Sequence, residues 1–177
     1  MTALIFILTT LSQLVITVFV LRILLPVCRV DMRNPLSVAV LRLTNPVILP
    51  LRRVLPAVGR LDTATWLTVF VLQLASNLLL GALHATNLPS ATALIITCLR
   101  DLASLLLQLY LYALLLYAVL SWMAPYDHSP AASVLRSLCS PILKPFQRII
   151  PRIAGLDLSV LFALIAIQAL QILLHTQ

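Results

Sequence analysis

The chain has 177 residues, 62% of them hydrophobic and 10% charged, with a formal net charge of +7 and a mean hydropathy of +1.09. Soluble domains carry about a quarter charged residues, so an ordinary water-soluble enzyme is excluded and a lipid bilayer is the expected solvent. The three cysteines, Cys28, Cys98 and Cys139, are isolated, odd in number and without a CxxC spacing, so neither a disulfide framework nor a zinc site is expected.

A hydrocarbon core about 30 Å thick needs roughly 20 apolar residues per helix. Four stretches meet that length, approximately Ala3 to Pro26, Asp62 to Leu83, Leu102 to Trp122 and Leu156 to Leu174. The first differs from a cleavable signal peptide, because its first charge is Arg22 and its apolar run is too long. Between the first and second stretches lie Arg29, Arg33, Arg42, Arg52, Arg53 and Arg60 against Asp31. Between the third and fourth lie Arg136, Lys144, Arg148 and Arg152 against Asp127. The connection from His84 to Ala91 carries no charged residue. Short loops rich in Lys and Arg stay on the cytoplasmic side, so both basic segments are expected there and both termini in the periplasm.

Sliding the sequence by 95 positions superposes Pro35 on Pro130, Pro46 on Pro141, Pro50 on Pro145, Arg53 on Arg148, Pro56 on Pro151 and Asp62 on Asp157. It also brings Gln13 onto Gln108 and Gln73 onto Gln168. A register this consistent over rare residues predicts an internal repeat, 1–95 followed by 96–177. Two spans per unit give both copies the same orientation, a parallel repeat about an axis along the membrane normal. The expected fold is therefore an all-α membrane protein with four transmembrane helices.

The basic segments carry their own structure. Asn34-Pro35, Asn45-Pro46, Ser129-Pro130 and Ser140-Pro141 each set a capping residue before a Pro, which predicts a helix start at each pair. Leu36, Ala39, Val40 and Leu43 recur at helical spacing, as do Ala131, Val134, Leu135 and Leu138. Each stripe predicts a helix lying in the interface with its apolar side toward the acyl chains. Pro46, Pro50 and Pro56, and Pro141, Pro145 and Pro151, are then expected to prevent one continuous helix. Asp62 and Asp157 stand where the second and fourth spans begin and predict helix caps, with Arg60 or Arg152 as local partner. In that reading an Asn replacement is mild. Arg42, Arg52, Arg53, Arg136, Lys144, Arg148 and Arg152 are the candidate contacts to anionic lipid or to a partner, worth roughly 1 kcal/mol per charge beside anionic head groups.

Inside the spans, Gln13, Gln73, Gln108 and Gln168 approach the midplane, and Asn77 shares a face with Gln73. The four amides are expected to satisfy one another across helices, at roughly 0.6 to 2 kcal/mol per bond. No charge is expected at the midplane, which disfavours an ion path along Gln73, Asn77 and His84. Arg22 is expected to snorkel, and Arg100 and Asp101 to sit near the outer end of the third span. His84 and His175 at span ends fit an interfacial position better than haem ligation. No HExxH, GxSxG, P-loop or dinucleotide fingerprint is present, so no enzyme and no cofactor is expected. The basic residues alternate with Leu, Val and Pro, so nucleic acid is not an expected partner.

The doubled pattern of Asn/Ser-Pro, a second Pro, an Arg, a third Pro and an apolar residue with Asp resembles the YggT family of bacterial and plastid membrane proteins. It runs through Pro46, Pro50, Arg53, Pro56 and Asp62 and again through Pro141, Pro145, Arg148, Pro151 and Asp157. The resemblance implies two such units in a bacterial inner membrane. It brings no agreed reaction, only a broad association with osmotic or ion tolerance, with assembly of membrane complexes and with division or nucleoid organisation. Gln147 departs from the pattern where Arg52 stands in the first copy, as does Ala154-Gly155 at the turn. The expected function is a non-enzymatic scaffold or assembly and homeostasis factor, with self-association or other membrane proteins as further partners. A small channel or transporter subunit is the alternative.

Overall fold

The computed structural model describes residues 2–53, 55, 62–83, 90–123, 129–149 and 158–176, and among these every regular element is a helix. In chain order these are α1 (Thr2–Val27), α2 (Pro35–Arg52), α3 (Thr63–Leu83), α4 (Ala91–Met123), α5 (Pro130–Ile149) and α6 (Leu158–His175). Helix α5 starts 95 residues after α2 (130 against 35), and α6 starts 95 after α3 (158 against 63). Four helices are long and apolar enough to cross a membrane: Ala3–Val27, Thr63–Leu83, Ala91–Ser121 and Leu158–His175. The third of these begins well before the expected Leu102. Thr92, Ala93, Leu94, Ile95 and Ile96 continue its apolar run upstream, and Ser90 caps it, its hydroxyl accepting from the Ala93 amide at 3.3 Å. Arg100 and Asp101 are therefore interior to α4.

Helices α2 and α5 correct a second expectation, since each runs unbroken through two prolines, Pro46 and Pro50 in α2 and Pro141 and Pro145 in α5. A Pro removes one amide donor and so orphans the carbonyl four residues back. Pro46 and Pro50 are themselves four apart and exposed, as is Arg42. The orphaned Arg42 and Pro46 carbonyls thus fall on the exposed strip, where outside donors can reach them. Pro141 and Pro145 are exposed in the same way. The first capping pairs do start helices: Asn34 Oδ1 accepts from the Leu36 amide at 2.9 Å, and Ser129 Oγ from the Ala132 amide at 3.2 Å. The second pairs, Asn45-Pro46 and Ser140-Pro141, start none.

The chain packs as two compact units, one of Met1–Ile23 with Val40–Leu105, the other of Leu24–Ala39 with Leu106–Gln177. In the second unit, Ala113 and Leu114 of α4, Cys139 and Leu143 of α5, and Val160, Ala163 and Ile167 of α6 form a buried cluster. Small residues at Ala113, Cys139 and Ala163 permit close backbone approach, the usual means of helix packing where lipid removes the hydrophobic driving force. Val134, Leu135 and Leu138 of α5 are buried or half-buried, and Leu135 packs on this cluster. The α5 stripe thus meets protein, where acyl chains were expected. In α2 the corresponding Leu36, Ala39 and Leu43 are exposed, and the fully buried positions are instead Ser37, Thr44 and Ile48.

Helix α1 ends in a Schellman turn, with the Val30 amide on the Leu25 carbonyl at 2.9 Å and the Arg29 amide on the Pro26 carbonyl at 3.2 Å. Leu25 and Val30 are both buried, supplying the apolar contact that accompanies this turn. Its left-handed position is Arg29, at φ 55°, where Gly is the usual residue. Arg29→Gly is expected to raise stability by about 1 kcal/mol, the steric cost of a side chain there, measurable by unfolding in detergent micelles. A loss of stability would show that the Arg29 side chain makes a compensating contact.

Candidate functional site

The polar side chains of the first unit gather at the start of α3. Asp62 immediately precedes that helix, and its carbonyl accepts the Trp66 amide at 3.1 Å, which fixes it as the cap residue. Its carboxylate is held by a fork from Arg52, Nε to Oδ1 at 3.2 Å and Nη2 to Oδ2 at 2.6 Å. Such paired geometry is the strong form of an Arg–carboxylate contact. The Thr65 hydroxyl donates to Oδ2 at 2.6 Å. Arg22 of α1 approaches the same oxygen through Nε at 3.7 Å. Its Nη1 donates to Thr44 Oγ1 at 2.5 Å and to Asn45 Oδ1 at 2.8 Å on α2. The cluster therefore ties α1, α2 and α3 together through one carboxylate.

Arg22 is only 5% exposed, which corrects the expectation that it snorkels. A guanidinium out of water is tolerated when its donors have partners, and Thr44, Asn45 and Asp62 provide them. Burial alone would push the Asp62 carboxyl up. Hydrogen bonds from Arg52 and Thr65, with the charges of Arg52 and Arg22, outweigh that and hold it below the usual carboxylate range. The same hydrogen bond raises Arg52 above its ordinary value. The expected local partner of Asp62 was Arg60; the partners observed are Arg52 and Arg22. Arg60, Pro56, Pro151, Arg152 and Asp157 lie outside the described residues.

The sequence positions 95 residues on do not keep these cations. The 95-residue shift places Arg22 on Tyr117, Thr44 on Cys139, Asn45 on Ser140 and Arg52 on Gln147, so both cations vanish together. Cys139 is fully buried in the α4–α5–α6 cluster. Its thiol is pushed up to about 12 by burial, with a smaller contribution from Cys28, and is therefore a packing residue without nucleophilic character. Cys28 Sγ lies 3.5 Å from the Tyr110 hydroxyl.

A second polar group lies within the spans of the first unit. Gln73 is 7% exposed, and its Nε2 donates to Asn77 Oδ1 at 3.1 Å and to Asp101 Oδ2 at 3.3 Å. Asn77 Nδ2 donates to the same Asp101 oxygen at 2.8 Å. Gln73 and Asn77 stand about 15 and 21 Å along α3, whose whole length is about 31 Å. A carboxyl group thus occupies the interior of the span, where none was expected; at a bilayer centre its charge costs roughly 2.5 to 3.5 kcal/mol. The four glutamines do not form one cluster, for Gln13, Gln108 and Gln168 are exposed. Gln108 donates within its own helix to Tyr112 Oη at 3.2 Å. His84 lies outside the described residues, and His175 Nδ1 pairs with the Gln171 carbonyl at 2.8 Å.

Of the other basic positions, Arg42, Arg53, Arg136, Lys144 and Arg148 are exposed on or beside α2 and α5. Arg52 differs from them, committed to Asp62. Sequence inspection missed Arg22 and Asp101. The signal for Arg22 was the simultaneous loss of its charge and that of Arg52 in the second copy. For Asp101 it was the uninterrupted apolar run upstream of it.

Four apolar spans, two of them joined by an ion-pair cluster around the buried Arg22, define a multi-pass helical membrane protein. The CCB3/YggT family model matches residues 1–83 and 96–177, and the chain belongs to this family. It is 35% identical over 173 residues to an uncharacterized protein of Pseudomonas aeruginosa, covering 97% of this chain and 88% of the relative. An uncharacterized protein of Vibrio alginolyticus, described by its place in the proC 3' region, is 39% identical over 164 residues, 92% and 88% of the two chains. The uncharacterized protein YggT of Escherichia coli K12 is 35% identical over 159 residues, 90% and 82% of the two. No solved structure matches significantly.

Proposed function

We propose that the chain is a non-enzymatic scaffold or assembly and homeostasis factor of the bacterial inner membrane. Residues 1–95 and 96–177 are read as a parallel sequence repeat, with α2 and α5 at the cytoplasmic face and both termini in the periplasm. The observation that carries this reading is α2. Its exposed apolar strip of Leu36, Ala39, Leu43 and Val47 is flanked by exposed Arg42 and, just past its end, Arg53, the composition that suits a helix between acyl chains and anionic head groups. Exposed Lys144 and Arg148 extend the basic surface on α5.

The reading is tested by Arg42→Gln, Arg53→Gln, Lys144→Gln and Arg148→Gln combined, which spare the Asp62 cluster. At about 1 kcal/mol per charge the four changes together amount to about 4 kcal/mol, so capture of anionic lipid from mixed-lipid vesicles should fall by about 10²- to 10³-fold and become less salt-dependent. Unchanged capture refutes the lipid-binding part. The alternative, a small channel or transporter subunit in osmotic or ion balance, is favoured by one observation, the Gln73–Asn77–Asp101 group within the span. The scaffold reading expects no solute flux above empty vesicles. A reproducible flux abolished by Gln73→Leu in a folded protein would replace it with the channel.

A further inference from the structure

Among the described residues, Asp101 is the acidic side chain that lies inside a candidate span. A carboxylate in that position is neutralised by a countercharge, by a bound cation or by a proton. The ion pairs among the described residues both belong to Asp62, so no Lys, Arg or His side chain described here neutralises Asp101. Arg100 is its neighbour in sequence, but consecutive helical residues diverge by about 100° around the axis. Cys98, one turn earlier, donates its thiol hydrogen to the Phe70 carbonyl at 3.8 Å.

A cation fits poorly. The oxygens at hand are the Asp101 carboxylate and, if both amides turn over, Gln73 Oε1 and Asn77 Oδ1, while a hard cation such as calcium takes about six to eight. Helices α3 and α4 are continuous here, so their backbone carbonyls are spent in helical bonds. A proton asks for one acceptor. The two amides also serve both forms of the group. As found, their N–H bonds point to the charged oxygen; after a half-turn an amide oxygen accepts from the acid.

We propose that Asp101 is a proton-binding carboxyl within the bilayer, with Gln73 and Asn77 as hydrogen-bond partners that follow it between its charged and neutral forms. Gln73, Asn77 and Asp101 all lie in the first compact unit, and the 95-residue shift relates them to the exposed Gln168, to Ile172 and to Phe6, so the site has no second copy. It is independent of the lipid-binding reading, which rests on other residues and a different readout.

The test uses dicyclohexylcarbodiimide, an apolar electrophile that takes the proton of a protonated carboxyl and is then attacked by its oxygen, leaving a stable acylurea adduct, on the full-length protein in lipid vesicles over a pH series, with peptide mass mapping. Asp101 should be labelled, the yield falling about tenfold per pH unit once the charged form dominates, and Asp101→Asn should abolish the adduct. Gln73→Leu with Asn77→Leu removes both amide partners, so the dependence of labelling on pH should move. Wild-type protein without labelling at Asp101 at any pH overturns the proposal without appeal to a variant. A pH profile left unmoved in a folded double-leucine variant overturns the part assigned to the amides.

Discussion

Asp62→Ala is expected to cost about 3 to 5 kcal/mol of stability, because it strands the buried Arg22 with Thr44 and Asn45 as its remaining partners. Arg52→Ala should cost at most about 1 kcal/mol, since Arg52 is 42% exposed on its side chain against 17% for Asp62, and water replaces much of what it contributes. Asp62→Asn keeps a capping oxygen but loses the charge. It should therefore be clearly destabilising, where capping alone implies a mild effect. Combining Asp62→Asn with Arg22→Met should recover much of that loss, as an apolar replacement of a buried pair often does. Unfolding in detergent micelles measures the series; equal losses for Asp62→Ala and Arg52→Ala would show that Arg22 does not depend on Asp62. The pH dependence has a definite sign. Asp62 is held below its ordinary value, so its contribution is complete above about pH 4 and is lost as pH falls through the lower folded value. Wild-type protein should lose stability there, and Asp62→Asn should lack that component.

Leu114→Ala is expected to cost about 2 to 5 kcal/mol through the cavity it leaves among Cys139, Leu143 and Ala163. Leu116→Ala, two residues further along α4, should change stability by no more than about 0.5 kcal/mol. Leu114 is 0% exposed and Leu116 56% exposed. In water the second change would remove a surface liability; in lipid it exchanges one apolar contact for another. The pair therefore separates packing from solvent preference. Equal effects in the folded protein would contradict the placement of α4 with Leu114 inward.

The spans were legible because length and hydropathy are summed over some 20 residues, and errors at single positions average out. The third start was not, since a sequence reader places an Arg–Asp pair at a membrane edge on cost grounds alone, and Gln73 and Asn77 that offset the cost come from another helix. The proline segments misled for a related reason: Pro46 and Pro50 forbid a helix only if the orphaned carbonyls are buried, and exposure is a tertiary property. Asp62 was recognisable as a cap from its place before an apolar run. Its fork with Arg52, ten positions away in sequence, had no periodic signature. The basic residues of α2 and α5 were visible as a set, but not that Arg52 is drawn out of it.

The Arg22–Asp62 pair also bears on the order in which the chain is made. Asp62 is 40 positions after Arg22 (62 against 22), so at ribosomal rates of about 5 to 20 residues per second the cation waits roughly 2 to 8 seconds for its counter-ion. During that interval Arg22, five residues before the end of α1, lacks its counter-ion, although its hydrogen-bond partners Thr44 and Asn45 are made first. Chains halted before residue 62 should leave Arg22 accessible to aqueous reagents, whereas longer ones should hide it.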